Sequence, residues 1–185
     1  YGAYSIRETS APIGYYDVGQ IFEVTRDGVI VELGEDFEND VKRGGISVQK
    51  VDADLGQAQA QGSATLAGTV FQVTNASAEK VVVDGVYYDP GEVVATLVTD
   101  DSGFASTDAN ALPYGTYTVK EIAPPSGYLA GEEGFSQTVE LREGGVVVAC
   151  GESFANGVKR GGISLHKADA ESAGGLAQGA ATLQG

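Results

Sequence analysis

An all-β sandwich is predicted for this chain of 185 residues by three features of its sequence. Short runs rich in Val, Ile, Tyr and Thr recur along the chain, and its 27 glycines punctuate them. No apolar pattern with the 3.6-residue period of a helix is sustained along the chain. A domain-sized segment is also repeated, which indicates tandem sandwiches rather than a solenoid of short units.

The strands of the middle part of the chain are expected between clear turn signals. Turns are predicted at 89–91, 100–103, 124–127 and 144–145, where Asp, Pro, Ser and Gly cluster. Residues 52–68, rich in Ala, Gln and Gly, are predicted to be a loop or a weak helical turn. Tyr87 and Tyr88 belong either to an exposed hairpin or to the core. The predicted strands lie near 45–50, 69–74, 80–83, 93–99, 115–122, 135–142 and 145–150.

The repeat predicts the domain boundaries. Residues 40–50 recur as 157–167, at an offset of 117 (167 − 50), and residues 1–8 match 114–121 at an offset of 113 (121 − 8). The difference between these two offsets is expected to come from a loop insertion between Tyr128 and Gln137. The chain has no initiating Met, so we expect a segment of a longer polypeptide. The expected parts are the end of one domain (1–43), a complete domain (44–160) and the start of a third (161–185).

Three polar residues occupy positions where strand alternation calls for an apolar one, and each recurs. Lys50 follows Ile46 and Val48 on one face, and Lys167 likewise follows Ile163 and Leu165. Glu121 ends the series of Tyr117 and Val119, as Glu8 ends that of Tyr4 and Ile6. Asn156 lies between Phe154 and Val158, as Asn39 lies between Phe37 and Val41. An unpaired buried charge would cost several kcal/mol, so we expect the three groups to meet or to react.

Composition disfavours several function classes. A net charge of −15 repels nucleic-acid backbones and anionic lipid surfaces. No apolar run is long enough to span a bilayer. The single cysteine, Cys150, excludes an internal disulfide and a cysteine zinc site. At the offset of 117 it aligns with Leu33, which favours an apolar interior role over a reactive thiol.

Metal and cofactor sites are not expected. His166 aligns with Gln49 on a polar face, which argues against a catalytic or ligating role. Asp52 with Asp54, or Asp100 with Asp101, could contribute to a calcium site, but neither pair has the ordered ligand spacing of a calcium loop.

The motifs at residues 50–54, 66–73 and 116–128, with Asn156 near the end, resemble the collagen-adhesin B-type (Cna-B) domain, also called the SpaA or prealbumin-like pilin domain. The resemblance covers 44–160 and both flanks. It implies an immunoglobulin-like β-sandwich in tandem copies, in the shaft of a Gram-positive surface protein. It also implies a self-formed isopeptide bond, with Lys50 as the amine, Asn156 as the acyl partner and Glu121 as the acid. The flanks would hold the incomplete triads of the neighbouring domains: Glu8, Asn39 and Lys167.

The chemistry of these residue types agrees with the roles that the resemblance implies. Burial lowers the pKa of a lysine and raises that of a glutamate, so both can be neutral in one apolar pocket. The free amine of Lys50 is then a nucleophile, and protonated Glu121 can polarise the Asn156 carboxamide and pass protons while ammonia leaves. The alternatives are a buried ion pair or solvated side-chain tips. Asn156-Gly157 could also be a simple hairpin turn, although Asn39-Asp40 keeps the Asn without the Gly.

Two functions remain from this reading. The first is a structural stalk at the extracellular surface of a bacterium, anchored to the cell wall through a region outside this sequence, with adjacent repeat domains as partners and a distal region that contacts host or matrix proteins. The second is a binding module whose own loops, 84–92 or 128–136, contact such a ligand. A conventional enzyme is disfavoured because no nucleophile, base and orienting group occur together with a usable histidine.

Overall fold

The computed structural model describes residues 1–33, 38–131, 135–172 and 176–184, and in these ranges every regular element is a strand. The predicted all-β sandwich is therefore confirmed. No helix in the described ranges is long and apolar enough to cross a membrane. The strands are β1 (Gly2–Arg7), β2 (Gly19–Val24), β3 (Arg43–Asp52), β4 (Val70–Asn75), β5 (Val81–Val83), β6 (Val86–Tyr88), β7 (Val93–Val98), β8 (Phe104–Ser106), β9 (Leu112–Pro113), β10 (Gly115–Ala123), β11 (Ser136–Leu141), β12 (Val147–Ala149) and β13 (Phe154–Asn156).

Two sheets form the sandwich of the middle part of the chain. One is antiparallel, in the order β11, β10, β4, β7. The other is built on β3, the longest strand, which is paired along both edges. On one edge β12 and β13 run parallel to it, and on the other β8 and β9 are antiparallel to it. The parallel pairing brings the beginning of this region beside its end.

Strand alternation decides which side chains enter the space between the sheets. In β3 the even-numbered residues from Ile46 to Asp52 are buried, and in β10 Tyr117 and Val119 are buried. Apolar side chains from the other strands of both sheets complete the core, and they include Phe71, Val73, Leu97, Val139, Leu141 and Phe154. The predicted inward faces of β3, β10 and β13 are confirmed.

A short hairpin, β5–β6, packs against this body through Val81 and Val83. Its turn is Asp84-Gly85, and both residues have positive φ (50° and 79°), which suits a tight two-residue connection. Tyr87 is 68% exposed, whereas Tyr88 is partly buried against the core. The two tyrosines therefore divide between the two alternatives that the sequence left open.

The short strands were the least predictable elements. Strands β6, β8 and β9 were not among the predicted strands, because two or three residues carry too little alternation to be recognised. Residues 53–69 contain turns and no helix, which agrees with the loop alternative.

The flanks differ from the sequence expectation in their burial. β1 and β2 pair with each other, but Tyr4 and Ile6 remain about half exposed because no second sheet covers them in the described ranges. The inward series that ends at Lys167 is wrong for this structure: Ile163 and Leu165 are exposed, and residues 161–168 form no strand. The physical reason is that no strand among the described residues pairs with this segment. Phe37 lies outside the described residues.

Candidate functional site

Lys50 lies near the C-terminal end of β3 and its side chain is fully buried. Its ammonium nitrogen Nζ donates to the carbonyl oxygens of Phe154 (2.6 Å) and Val51 (3.1 Å). Burial lowers the pKa of Lys50 from 10.5 to about 8, although the charges of Glu121 and Asp52 oppose this shift. The amine can therefore lose its proton near neutral pH, as a nucleophile requires.

Asn156 reaches the same region from β13, which runs parallel to β3 and places Phe154 beside Lys50. Its side chain is almost completely buried. The amide nitrogen Nδ2 donates to Glu121 Oε1 at 3.1 Å and to the backbone oxygen of Leu129 at 2.9 Å. The carboxamide oxygen Oδ1 is buried and has no hydrogen-bond partner among the described residues.

Glu121 comes from the opposite sheet, near the end of β10. The register of β10 against β4 shifts between Glu121 and Ala123, and such a bulge redirects side chains at the edge of a sheet. Burial raises the pKa of the Glu121 carboxyl, and this outweighs the opposing effects of Lys50 and of the hydrogen bond from Asn156. A protonated Glu121 can donate a proton as well as accept a hydrogen bond.

Phenylalanine residues are the strand partners of two of the polar groups, because Phe154 pairs with Lys50 and Phe71 with Glu121. The ring of Phe154 packs edge-on against Phe71 and Phe135, with centroid distances of 4.7 and 5.4 Å. An open cleft of about 720 Å³, lined in part by Glu121 and Phe135, adjoins the site. The reacting groups are thus mostly dry on one side, while the cleft gives a small leaving group a way out.

The arrangement can support attack of the Lys50 amine on the Asn156 carboxamide. The Leu129 carbonyl can only accept a hydrogen bond, so the amide nitrogen Nδ2 of Asn156, and not its oxygen Oδ1, must point towards it. In this orientation Nδ2 also faces Glu121. Glu121 therefore faces the leaving nitrogen rather than the carbonyl oxygen. No hydrogen bond joins Lys50 directly to Asn156 or Glu121 within the described ranges.

The preceding flank reproduces half of this site. Asn39 Nδ2 donates to Glu8 Oε2 at 2.6 Å and to the backbone oxygen of Tyr16 at 2.9 Å, the same pair of contacts that Asn156 makes. The isolated strand bridge between Tyr15 and Val41 likewise matches that between Tyr128 and Val158. No lysine contacts Glu8 or Asn39 in the described residues, and Lys167 is exposed.

Asp52 is the residue of this region that the sequence reading did not select as part of the site. It is fully buried and accepts a hydrogen bond from the Tyr128 hydroxyl at 2.9 Å. The signal was present, since Asp52 continues the inward alternation of Ile46, Val48 and Lys50 by one further step. The carboxylate was instead weighed as a calcium ligand.

The remaining candidates have structural surroundings. Cys150 is partly buried against the core, and burial raises its pKa to about 11. His166 is exposed. Asp100 accepts from the amides of Ser102 and Phe104 and so organises its own turn. Among the described residues, no group of three or more His, Cys, Asp and Glu side chains is arranged to hold a metal ion.

Comparison with known proteins gives a family and several structural relatives. The SpaA prealbumin-like fold domain matches residues 44–152, more than half of the chain. No curated protein sequence matches the chain. The Bacillus anthracis TIE protein is 27% identical, with a TM-score of 0.58, over 85% of this chain and 25% of that one.

Two pilins are more distant. The group B streptococcus pilus 2b backbone protein is 20% identical, with a TM-score of 0.46, over 82% of this chain and 52% of its own. BcpA, the major pilin subunit of Bacillus cereus, is 20% identical, with a TM-score of 0.42, over 81% of this chain and 41% of its own. The chain thus spans between a quarter and about half of the length of these proteins. On the family match over residues 44–152, the chain belongs to the SpaA prealbumin-like domain family.

Proposed function

We propose that this chain is a structural shaft segment of a Gram-positive surface protein, and that its domain at 44–160 closes itself with an isopeptide bond between Lys50 and Asn156. The observation that carries the proposal is the contact of Asn156 Nδ2 with Glu121 Oε1 in the pocket that also buries Lys50. The family match and the pilins among the structural relatives support the shaft role.

In the proposed reaction the neutral Lys50 amine attacks the carboxamide carbon of Asn156. A carbon–nitrogen bond forms to Nζ, and the bond to Nδ2 breaks. Glu121, which faces Nδ2, gives its proton to the departing nitrogen and receives one from the former lysine amine, so ammonia leaves and the acid is regenerated. Folding holds both reactants together, which supplies a high effective concentration for one turnover.

The bond would protect the domain against stretching. β3 and β13 are parallel, so tension that enters before β3 and leaves after β13 shears this strand pair. A covalent link from Lys50 to Asn156 would carry the force past residues 51–155. Those 105 residues (155 − 51 + 1) would otherwise extend by roughly 350 Å when unfolded.

Single-molecule stretching of the chain tests the shaft role. We expect the wild type to lack the extension step of this domain, and Asn156→Ala to show it. Asn39→Ala is the matched control, because it removes the same kind of amide–acid contact from a half-site that contacts no lysine in the described ranges. A full extension step in the wild type would contradict the proposal.

A binding module is the second candidate function. The exposed Tyr87 on the β5–β6 hairpin favours it, since aromatic side chains are frequent at the centres of protein interfaces. Saturable binding of host matrix proteins that Tyr87→Ala abolishes would support this function. Equal binding by the variant would count against it.

A further inference from the structure

Asn156 is followed directly by Gly157, and this is the only Asn-Gly pair in the chain. In such a pair the backbone nitrogen of the glycine can attack the carboxamide carbon of the asparagine, because a residue without a Cβ leaves the approach open and lets the backbone turn. The product is a cyclic imide, a succinimide, and ammonia leaves. The carboxamide that the proposed function joins to Lys50 therefore has a second nucleophile in the next residue of the chain.

The backbone amide of Gly157 is free for this attack. Its N–H donates no hydrogen bond among the described residues, although its carbonyl accepts one from the amide of Leu129 at 2.9 Å. The reciprocal acceptor, the Leu129 carbonyl, is occupied by Asn156 Nδ2. The space beside the Gly157 Cα is also open, since an added methyl group would meet no atom of another part of the chain within 4 Å.

The acid that faces the leaving nitrogen can serve either nucleophile. Glu121 Oε1 lies 3.1 Å from Asn156 Nδ2. The preceding flank shows that such a contact forms without a lysine, because Asn39 Nδ2 donates to Glu8 Oε2 at 2.6 Å and no lysine contacts either residue in the described ranges. The carboxamide and its acid can therefore be assembled before the Lys50 amine arrives.

Docking of β3 restrains the second nucleophile. The peptide plane between Asn156 and Gly157 must turn to bring the glycine nitrogen to the carboxamide carbon. The amide of Ala53, the residue that follows β3, holds this plane by donating to the Asn156 carbonyl at 3.0 Å. Because the same strand carries Lys50, its docking supplies one nucleophile and restrains the other.

We propose that Asn156-Gly157 is a site of spontaneous modification: where the Lys50 amine is absent or has not docked, the Gly157 nitrogen attacks the Asn156 carboxamide with Glu121 as the acid. A bond forms from the glycine nitrogen to the carboxamide carbon, and the bond to Nδ2 breaks. Glu121 gives its proton to the departing nitrogen, the proton of the glycine amide restores the acid, and ammonia leaves. Water then opens the imide to aspartate or isoaspartate. This inference rests on the role that the proposed function gives Glu121, and not on the bond to Lys50.

Peptide mapping of an incubated Lys50→Ala chain tests the inference. The variant is kept at neutral pH and sampled over days, and mass spectrometry follows the conversion of each asparagine to aspartate or isoaspartate. The freshly purified variant should carry Asn156 intact. On incubation Asn156 should convert at least about tenfold faster than Asn39, which is less buried and contacts an acid in the same way but precedes Asp40. Asn39 is thus an internal reference in the same sample.

Further variants in the Lys50→Ala background identify the nucleophile and the acid. Gly157→Ala should slow the conversion about tenfold, because the methyl group obstructs the turn of the backbone but has room in the fold. Gly161→Ala is the matched control, since its added methyl group also meets open space, and it should leave the rate unchanged. Glu121→Gln keeps the size of the side chain and an acceptor oxygen but has no acidic proton, so it should slow the conversion at least about tenfold. If Lys50→Ala acted merely by loosening the domain, Glu121→Gln would not slow it.

The outcomes separate this inference from the proposed function. Conversion of Asn156 that is no faster than that of Asn39, or that Glu121→Gln leaves unchanged, would overturn the inference even if the wild type is cross-linked. A wild type whose Asn156 stays unlinked and converts as in Lys50→Ala would support the inference and overturn the proposed function.

Discussion

Replacing Asn156 by alanine should lower the stability of the domain far more than the loss of one side chain would. The proposed bond closes a loop of 106 residues (156 − 50). In the chain-entropy treatment of cross-links, a loop of about 100 residues contributes about 4.7 kcal/mol by restricting the unfolded chain. The variant also removes the part-buried hydrogen bond that the Leu129 carbonyl accepts, which costs about 0.5 to 1.5 kcal/mol. Together these terms predict a loss of roughly 5 to 6 kcal/mol.

Thermal unfolding followed by circular dichroism measures this loss. For a domain of this size the melting temperature should fall by more than about 15 °C. Asn39→Ala controls for the removal of a carboxamide and its hydrogen bond to an acid, since Asn39 makes the same contacts without a lysine. If the two variants melted within a few degrees of each other, the assumed covalent contribution would be refuted.

The remaining predictions concern titration, catalysis and the cysteine. In Asn156→Ala the free Lys50 should keep the pKa of about 8 that burial gives it in the native chain, against 10.5 when unfolded. Between these two pH values the unfolded chain binds more protons than the native chain, so the free energy of unfolding of the variant should rise with pH by roughly 3 kcal/mol. The cross-linked wild type should lack this rise. Denaturant titrations across this pH range can check both expectations. Glu121→Ala should fold yet keep its full mass, because no acid would serve the leaving nitrogen; complete ammonia loss in this variant would exclude the role of Glu121. Cys150, with its pKa raised to about 11, should react with a thiol reagent at neutral pH much more slowly in the folded than in the unfolded chain, and equal rates would contradict its burial.

The sequence predicted the long elements and the polar members of the site for one physical reason. Strand alternation depends only on neighbouring residues, so the burial of Lys50 and Asn156 could be inferred from the apolar residues beside them. The contact between the acid and the amide could be predicted because the repeat contains the pair twice, as Glu8 with Asn39 and as Glu121 with Asn156.

The rest depends on contacts between distant parts of the chain. Nothing local indicates that β13 lies parallel to β3, or that a backbone carbonyl at Leu129 orients the Asn156 nitrogen. The exposure of Ile163 has a similar cause, since the strand pattern is present but no strand in the described ranges pairs with it. Asp52 was overlooked because the inward series was ended at Lys50, one step too early.

Accurate mass measurement of the purified wild-type chain tests the central claim most directly. The prediction is a mass lower than the sequence mass by one ammonia, with the deficit carried by a proteolytic peptide that joins the segments around Lys50 and Asn156. Lys50→Ala, Glu121→Ala and Asn156→Ala should each restore the full mass, while Asn39→Ala should keep the deficit. A folded wild-type chain with its full sequence mass would contradict the account.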